Sequence, residues 1–214
     1  MAEPGLRERK KWETRRRISD VATGLFLARG FDNVTVAEIA EAAGVAKMTV
    51  FNYFPRKEDL FLDRPAEVVK DVTDAVRGRP AGTSVAEAVR ELHRTWLAQR
   101  HPMSGVVAGV GFWRLVQETP ALRTRLLEQR EEFESAVAGV LRDEGVGSLE
   151  AQLVAGFVGV AHGTVFGTAL GRMLGGDEAD EVRRGQERVI EVAFDALDRA
   201  VAGLVVLPDV SPRQ

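Results

Sequence analysis

Ala43-Gly44-Val45-Ala46-Lys47-Met48-Thr49-Val50-Phe51-Asn52-Tyr53-Phe54-Pro55 is the stretch whose reading decides the fold. Gly44 supplies a sharp turn. The residues after it divide at helical spacing into an inner face of Val45, Val50 and Phe54 and an outer face of Lys47, Met48, Thr49 and Asn52. Just upstream, Thr35-Val36-Ala37-Glu38 has the Thr-x-x-Glu spacing of a capping box, and Ile39, Ala40 and Ala43 give the helix it opens one apolar face. Two short helices crossing through a glycine turn are predicted. The outer face of the second is chemically unusual, because Lys and Asn hydrogen-bond base edges while Thr, Tyr and Lys hold phosphates. Capping boxes and glycine turns are each common in ordinary helical hairpins; their combination with this ridge points to duplex DNA.

The pattern Thr35-Val36, Ile39-Ala40, Ala43-Gly44-Val45, Thr49-Val50-Phe51, Tyr53-Phe54, Lys57 and Leu60 resembles the amino-terminal domain of TetR-type transcriptional regulators, over about residues 14 to 62. The resemblance implies a role for each matching residue. Thr35 donates to a phosphate at the start of the first helix of the pair. Lys47 and Met48 face base edges, with Asn52 beside them. Thr49 and Tyr53 grip phosphates, and Lys57 does so from the following helix. Two departures stand out: the family often has a hydroxyl residue where Ala46 stands and Tyr where Phe51 stands. Phe51 cannot donate a hydrogen bond, so for Phe51, as for Met48, contact with a base and simple packing both remain open.

Charge is segregated along the chain. Residues 1–17 carry seven cations (Arg7, Arg9, Lys10, Lys11, Arg15, Arg16 and Arg17) against Glu3, Glu8 and Glu13. That is a balance of +4, which leaves −7 for the rest of a chain whose net charge is −3. An acidic protein is a poor general polyanion binder, but a basic arm leading into the helix pair releases counterions from one stretch of DNA. The arm has no apolar targeting core.

At 214 residues with 45% hydrophobic content, the chain is long enough to bury a substantial core. It contains no cysteine, which excludes disulfides, thiolate chemistry and cysteine zinc sites. The reading is all-α: a helix-turn-helix head, then a larger helical body for ligand binding and dimerisation, about nine helices in all. Its divisions are a basic arm (1–17), the DNA-binding head (18–62), the effector and dimerisation body (63–207) and a flexible tail (208–214). Ile18, Val21, Ala22, Leu25 and Phe26 stripe a first helix ending before Gly30. Pro65 restarts or kinks a connector running from Lys57 to about Val76, and Ser84 opens a helix that stops near His101-Pro102. Two more helices are read over roughly 104–118 and 120–144.

Ala151–Gly171 contains no Asp, Glu, Lys or Arg, so by length it could span a bilayer. Gln152, His162, Thr164 and Thr168, and the lack of an aromatic belt, favour a buried helix of a soluble protein, and no membrane partner is expected. Gly156, Gly159, Gly163, Gly167 and Gly171 recur at three- or four-residue intervals. Each costs about 0.5–1 kcal/mol in a helix interior relative to alanine, which close approach of another backbone would offset. The expected partner is the last helix, roughly 178–204, where Val182, Val189, Ala193, Ala196, Ala200 and Leu204 recur helically. Two such helices from each of two chains would make a four-helix homodimer interface. A homodimer reads two half-sites about 34–36 Å apart, or a multiple of that.

The middle of the body resembles the region where TetR-type proteins take a small, mostly apolar effector. Trp96, Phe112, Trp113, Val116, Phe133 and Phe166 would line it, with His93, Gln117 and His162 as polar groups, although such residues also serve as ordinary core. No phosphate loop, zinc-binding helix or nucleophile elbow is present, so neither catalytic residues, nor a metal, nor a cofactor is expected. The reading is a cytoplasmic, ligand-released repressor on a palindromic DNA operator. The alternatives are a DNA-binding architectural or partner-controlled regulator without an effector, and an all-helical enzyme.

Overall fold

The computed structural model describes residues 5–106, 110–202 and 204; the first four residues of the basic arm and the predicted tail lie outside the described residues. Among the described residues there are nine α-helices and no strand. They are α1 (Leu6–Arg29), α2 (Val36–Ala42), α3 (Lys47–Tyr53), α4 (Pro65–Arg77), α5 (Val85–Ala98), α6 (Val110–Glu118), α7 (Pro120–Asp143), α8 (Ser148–Leu174) and α9 (Ala179–Val201).

The helices form two compact units. The first takes residues up to Arg64 together with Gly111–Leu126. Its core is Ile18, Ala22 and Phe26 of α1, Ile39 and Ala40 of α2, Val50 and Phe54 around α3, and Leu60 and Phe61, joined by Val116 and Leu122 from α6 and α7. Phe61 links these parts: its ring stacks on Phe112 with centroids 4.1 Å apart and meets Phe26 edge-on at 5.6 Å. A carboxylate–guanidinium pair, Asp59 with Arg125 at 2.7 Å, ties the 3-10 turn Glu58–Leu60 to the first part of α7. The sequence reading counted residues 111–126 with the body. One long helix and two of seven residues enclose little apolar surface, and a unit of that size is marginal alone, so recruiting the α6–α7 elbow enlarges the head's core.

The second unit contains α4, α5, α8, α9 and the rest of α7. Val72, Val76, Val89, Trp96, Val137, Leu141, Val154, Val158, Val165, Ile190 and Phe194 fill its centre. Several polar ties join its elements. Gln186 of α9 is buried and donates from Nε2 to the Val165 carbonyl of α8 at 2.6 Å. Arg79 forks the Glu144 carboxylate at 2.8 and 2.6 Å. Arg90 and Arg94 of α5 reach Asp195 and Glu191 of α9. α4 restarts at Pro65, where proline suits a first turn, and Ser84 caps α5 by accepting from the Glu87 amide.

The helix predicted from residue 104 does not begin there. Pro102–Ser104 is a 3-10 turn closed by Gly105 at φ +78. A Cβ at Gly105 would stand 2.6 Å from the Phe166 carbonyl oxygen and 2.8 Å from Ala169 Cβ. Glycine is therefore required by both the backbone angle and the approach of α8.

Candidate nucleic-acid interface

The helix pair is assembled from local rules that the sequence carries. Thr35 caps α2 by accepting from the Glu38 amide, and the Glu38 carboxylate returns to the Thr35 amide at 2.8 Å, completing the capping box. Gly44 at φ +64 ends α2 in a Schellman turn: its amide donates to the Glu41 carbonyl and the Val45 amide to the Ala40 carbonyl, both at 3.0 Å. α3 then starts at once. Its N-cap is Ala46, which provides no side-chain cap, as the departure at that position implied.

The exposed side of α3 carries Lys47, Met48, Phe51 and Asn52, while Thr49 and Tyr53 are half-buried on its flanks and Val50 is buried. Met48 is 69% exposed and Phe51 39%. The Lys47 ammonium lies 5.9 Å from the centroid of the Phe51 ring. α1 holds the far end of α3 in place, because Arg15 donates to the Tyr53 carbonyl at 2.7 Å and its guanidinium sits 4.1 Å above the Phe54 ring. The sequence groups Arg15 with the basic arm; its place one turn before Ile18, on the same stripe, is the signal of its structural role. The arm itself is helical from Leu6, and Arg9, Lys10, Lys11 and Arg17 are exposed.

Two predicted phosphate contacts are already occupied. The Thr35 hydroxyl donates to Glu38 Oε2 at 2.7 Å. That carboxylate is held down to about 2 by the Thr35 hydroxyl and amide and by Arg29, so it stays anionic where a phosphate would approach. Lys57 requires a correction. Its ammonium is half-buried, donates to the Phe31 carbonyl at 2.7 Å and lies 4.4 Å from the Phe31 ring centroid and 5.6 Å from that of Phe26. It closes the loop after α1, because its ammonium reaches the Phe31 carbonyl and two aromatic faces within the head.

The residues expected to line one pocket fall in different units. Phe112, Trp113 and Val116 pack into the head around Phe61, and Gln117 is exposed there. Their apolar stripe serves the head's core. In the second unit His93, Trp96, Phe133 and His162 come together. His162 Nδ1 and His93 Nε2 are 3.2 Å apart, His162 stacks on Phe133 at 5.4 Å, and Trp96 meets His93 edge-on at 5.0 Å. Burial pushes His162 down to about 4. Burial first, and then the neighbouring His162, hold His93 well below its ordinary value. His93 Nδ1 is buried with no hydrogen-bond partner among the described residues. Phe166 lies about one turn further along α8, its carbonyl against Gly105. Two open surface clefts, of about 240 and 390 Å³, lie around Arg79, Pro80 and Thr83, away from these residues.

The glycine stripe is open. A Cβ added at Gly156, Gly163, Gly167 or Gly171 meets nothing within 4 Å, so α9 of the same chain does not press against it as predicted. Gly159 is separate from the other four: it is buried, and a Cβ there would stand 2.6 Å from the Glu134 carboxylate. Leu149, Leu153, Phe157 and Val160 are exposed on α8, as is Val192 on α9. On α9, Ala196 and Ala200 are exposed, and Val189 and Ala193 partly cover the core.

Residues 18–63 match the family model of bacterial regulatory proteins, tetR family. The HTH-type transcriptional regulator TcmR of Streptomyces glaucescens is 34% identical over 144 residues, covering 64% of this chain and 63% of that relative, so the match spans less than two thirds of its length. The HTH-type transcriptional repressor AcnR of Corynebacterium diphtheriae is 23% identical over 183 residues, 83% of this chain and 90% of that one. Among solved structures, NalD, the secondary repressor of the MexAB-OprM multidrug efflux pump in Pseudomonas aeruginosa, shares the fold with a TM-score of 0.52 at 20% identity, over 86% of this chain and 96% of its own. With its helix-turn-helix geometry and a family match that covers the whole of that motif, residues 18–63 are similar to the DNA-binding part of bacterial regulatory proteins of the tetR family.

Proposed function

We propose that this chain is a sequence-specific DNA-binding transcriptional regulator, and that it acts in the cytoplasm as a homodimeric repressor on a palindromic operator. The observation that carries the reading is the exposed side of α3, where Lys47, Met48, Phe51 and Asn52 stand clear of a core that fixes the helix from behind. Thr49 and Tyr53 flank this ridge as phosphate ligands, and the helical basic arm adds cations. Thr35 contributes only by releasing its hydroxyl from Glu38.

Dimerisation is assigned to the uncharged, open side of α8 with α9: Gly156, Gly163, Gly167 and Gly171, with Phe157 and Val160 between them and Val192 and Ala196 alongside. α8 is long and apolar enough to cross a membrane by length and composition. Packing of its inner side on α9 and of its open side on a second copy accounts for that composition without a bilayer. The effector is a small, mostly apolar molecule, and the cluster around His93 and His162 is its site. The unpartnered His93 Nδ1 among aromatic rings is a polar anchor of the kind such sites use. Binding there releases the operator by favouring a state of lower DNA affinity.

The test is footprinting on DNA flanking the protein's own gene. A roughly palindromic protected site with steep salt dependence supports the reading. Absence of any protected site at low salt, with the protein folded, refutes it.

A further inference from the structure

Within the DNA-binding reading just proposed, the order of side chains around α3 is informative. Successive residues of an α-helix are rotated by about 100°, so Lys47, Phe51, Met48 and Asn52 follow one another around the exposed side, at roughly 0°, 40°, 100° and 140°. The polar residues are the edges of this ridge and the apolar pair is its crest. Both crest residues are exposed, Met48 at 69% and Phe51 at 39%, with no core of their own to enter. Lys47 leans its ammonium over the Phe51 ring, which sets a cation beside an apolar surface. Packing within the head therefore does not explain them.

A recognition helix entering the major groove presses its crest deepest. There the one apolar group offered by any base pair is the C5 methyl of thymine; every other edge feature is a hydrogen-bond donor or acceptor that a thioether or a phenyl ring would leave unsatisfied. We infer that Met48 and Phe51 read thymine methyl groups at the centre of each half-site, while Lys47 and Asn52 read or hold the base edges to either side. The cationic edge at Lys47 complements the groove's negative potential, which argues for DNA over an apolar protein surface as the occupant of this crest. Phe51 thereby contributes specificity at a position where a tyrosine would hold a phosphate.

The experiment uses the full chain and duplexes selected by it from a random double-stranded pool. Central thymines of the selected half-site are replaced one at a time by deoxyuridine, which removes the methyl and keeps the pairing. About fourfold weaker binding is expected for each contacted methyl, the effect of burying one carbon. Met48→Ala and Phe51→Ala should each lose the discrimination at the methyl its own side chain contacts and keep it at the other, and the double variant should bind the thymine and deoxyuridine duplexes equally well. Native protein that binds tightly and does not distinguish any deoxyuridine duplex overturns the inference while leaving DNA binding intact. A pool that yields no enriched sequence at low salt overturns both this inference and the function on which it rests.

Discussion

Arg15 of α1 donates to the main-chain carbonyl of Tyr53, the last residue of α3, at 2.7 Å, and lays its guanidinium 4.1 Å above the neighbouring Phe54 ring. A helix as short as α3 has no stability of its own, so its orientation is whatever its neighbours impose. Arg15 satisfies one of the carbonyls left free at the helix end and stacks on the residue that anchors that end in the core.

Arg15→Met should accordingly keep the stem's packing and lose the charged hydrogen bond, destabilising the head by about 1.5–3 kcal/mol. DNA affinity should fall for all sequences alike, because the whole ridge loses its seat. Urea unfolding at pH 7 paired with binding to specific and random duplexes checks this, and unchanged stability would show that the contact contributes nothing.

Lys57 separates a structural cation from a phosphate ligand. With its ammonium on the Phe31 carbonyl and between two aromatic faces, Lys57→Met should lower stability by about 2 kcal/mol, from a charged hydrogen bond and cation–π contact. The slope of log affinity against log salt should stay as in the native protein, since no phosphate contact is removed. A slope reduced by about one unit, with stability intact, would restore the phosphate role.

The head's local geometry was legible because short-range rules determine it. The capping box at Thr35 and Glu38, the positive φ at Gly44 and the inner face of Val50 and Phe54 each depend on residues a few positions apart. What the sequence could not display was competition among distant partners. A lysine after a helix-turn-helix looks like a phosphate ligand until Phe31, 26 residues away, supplies a carbonyl. Phe112 and Trp113 looked like pocket residues because periodicity reports an apolar face without reporting which core receives it. The glycines of α8 suggest a close approach of α9, but a Cβ at four of them meets nothing within 4 Å among the described residues, because spacing marks a small-residue face without saying what packs on it.

The facing histidines, His93 buried and His162 partly so, make stability depend on pH in a defined window. Both have folded-state values below the ordinary 6.5, so the unfolded chain binds more protons as the solution is acidified. Stability is complete above about pH 6.5 and falls as pH is lowered toward His162's value of about 4, by up to about 1.4 kcal/mol per pH unit for each group. His162→Phe, which preserves a ring against Phe133, should flatten this dependence between pH 6.5 and 4. Identical unfolding profiles for the two proteins across that range would place the acid sensitivity elsewhere.

The open stripe of α8 permits a test in which folding and association respond in opposite directions. At Gly163 an added Cβ has nothing within 4 Å in its own chain, so Gly163→Ala relieves the glycine penalty and should stabilise an isolated protomer by about 0.5–1 kcal/mol. If a second copy packs its backbone on this side, the same position tolerates no bulk. Gly163→Leu should then sediment as a monomer with native helix content, and it should lose operator affinity steeply because a monomer reads one half-site. A stable dimer of Gly163→Leu would move the interface off this stripe and leave the exposed Phe157 and Val160 without the partner assigned to them.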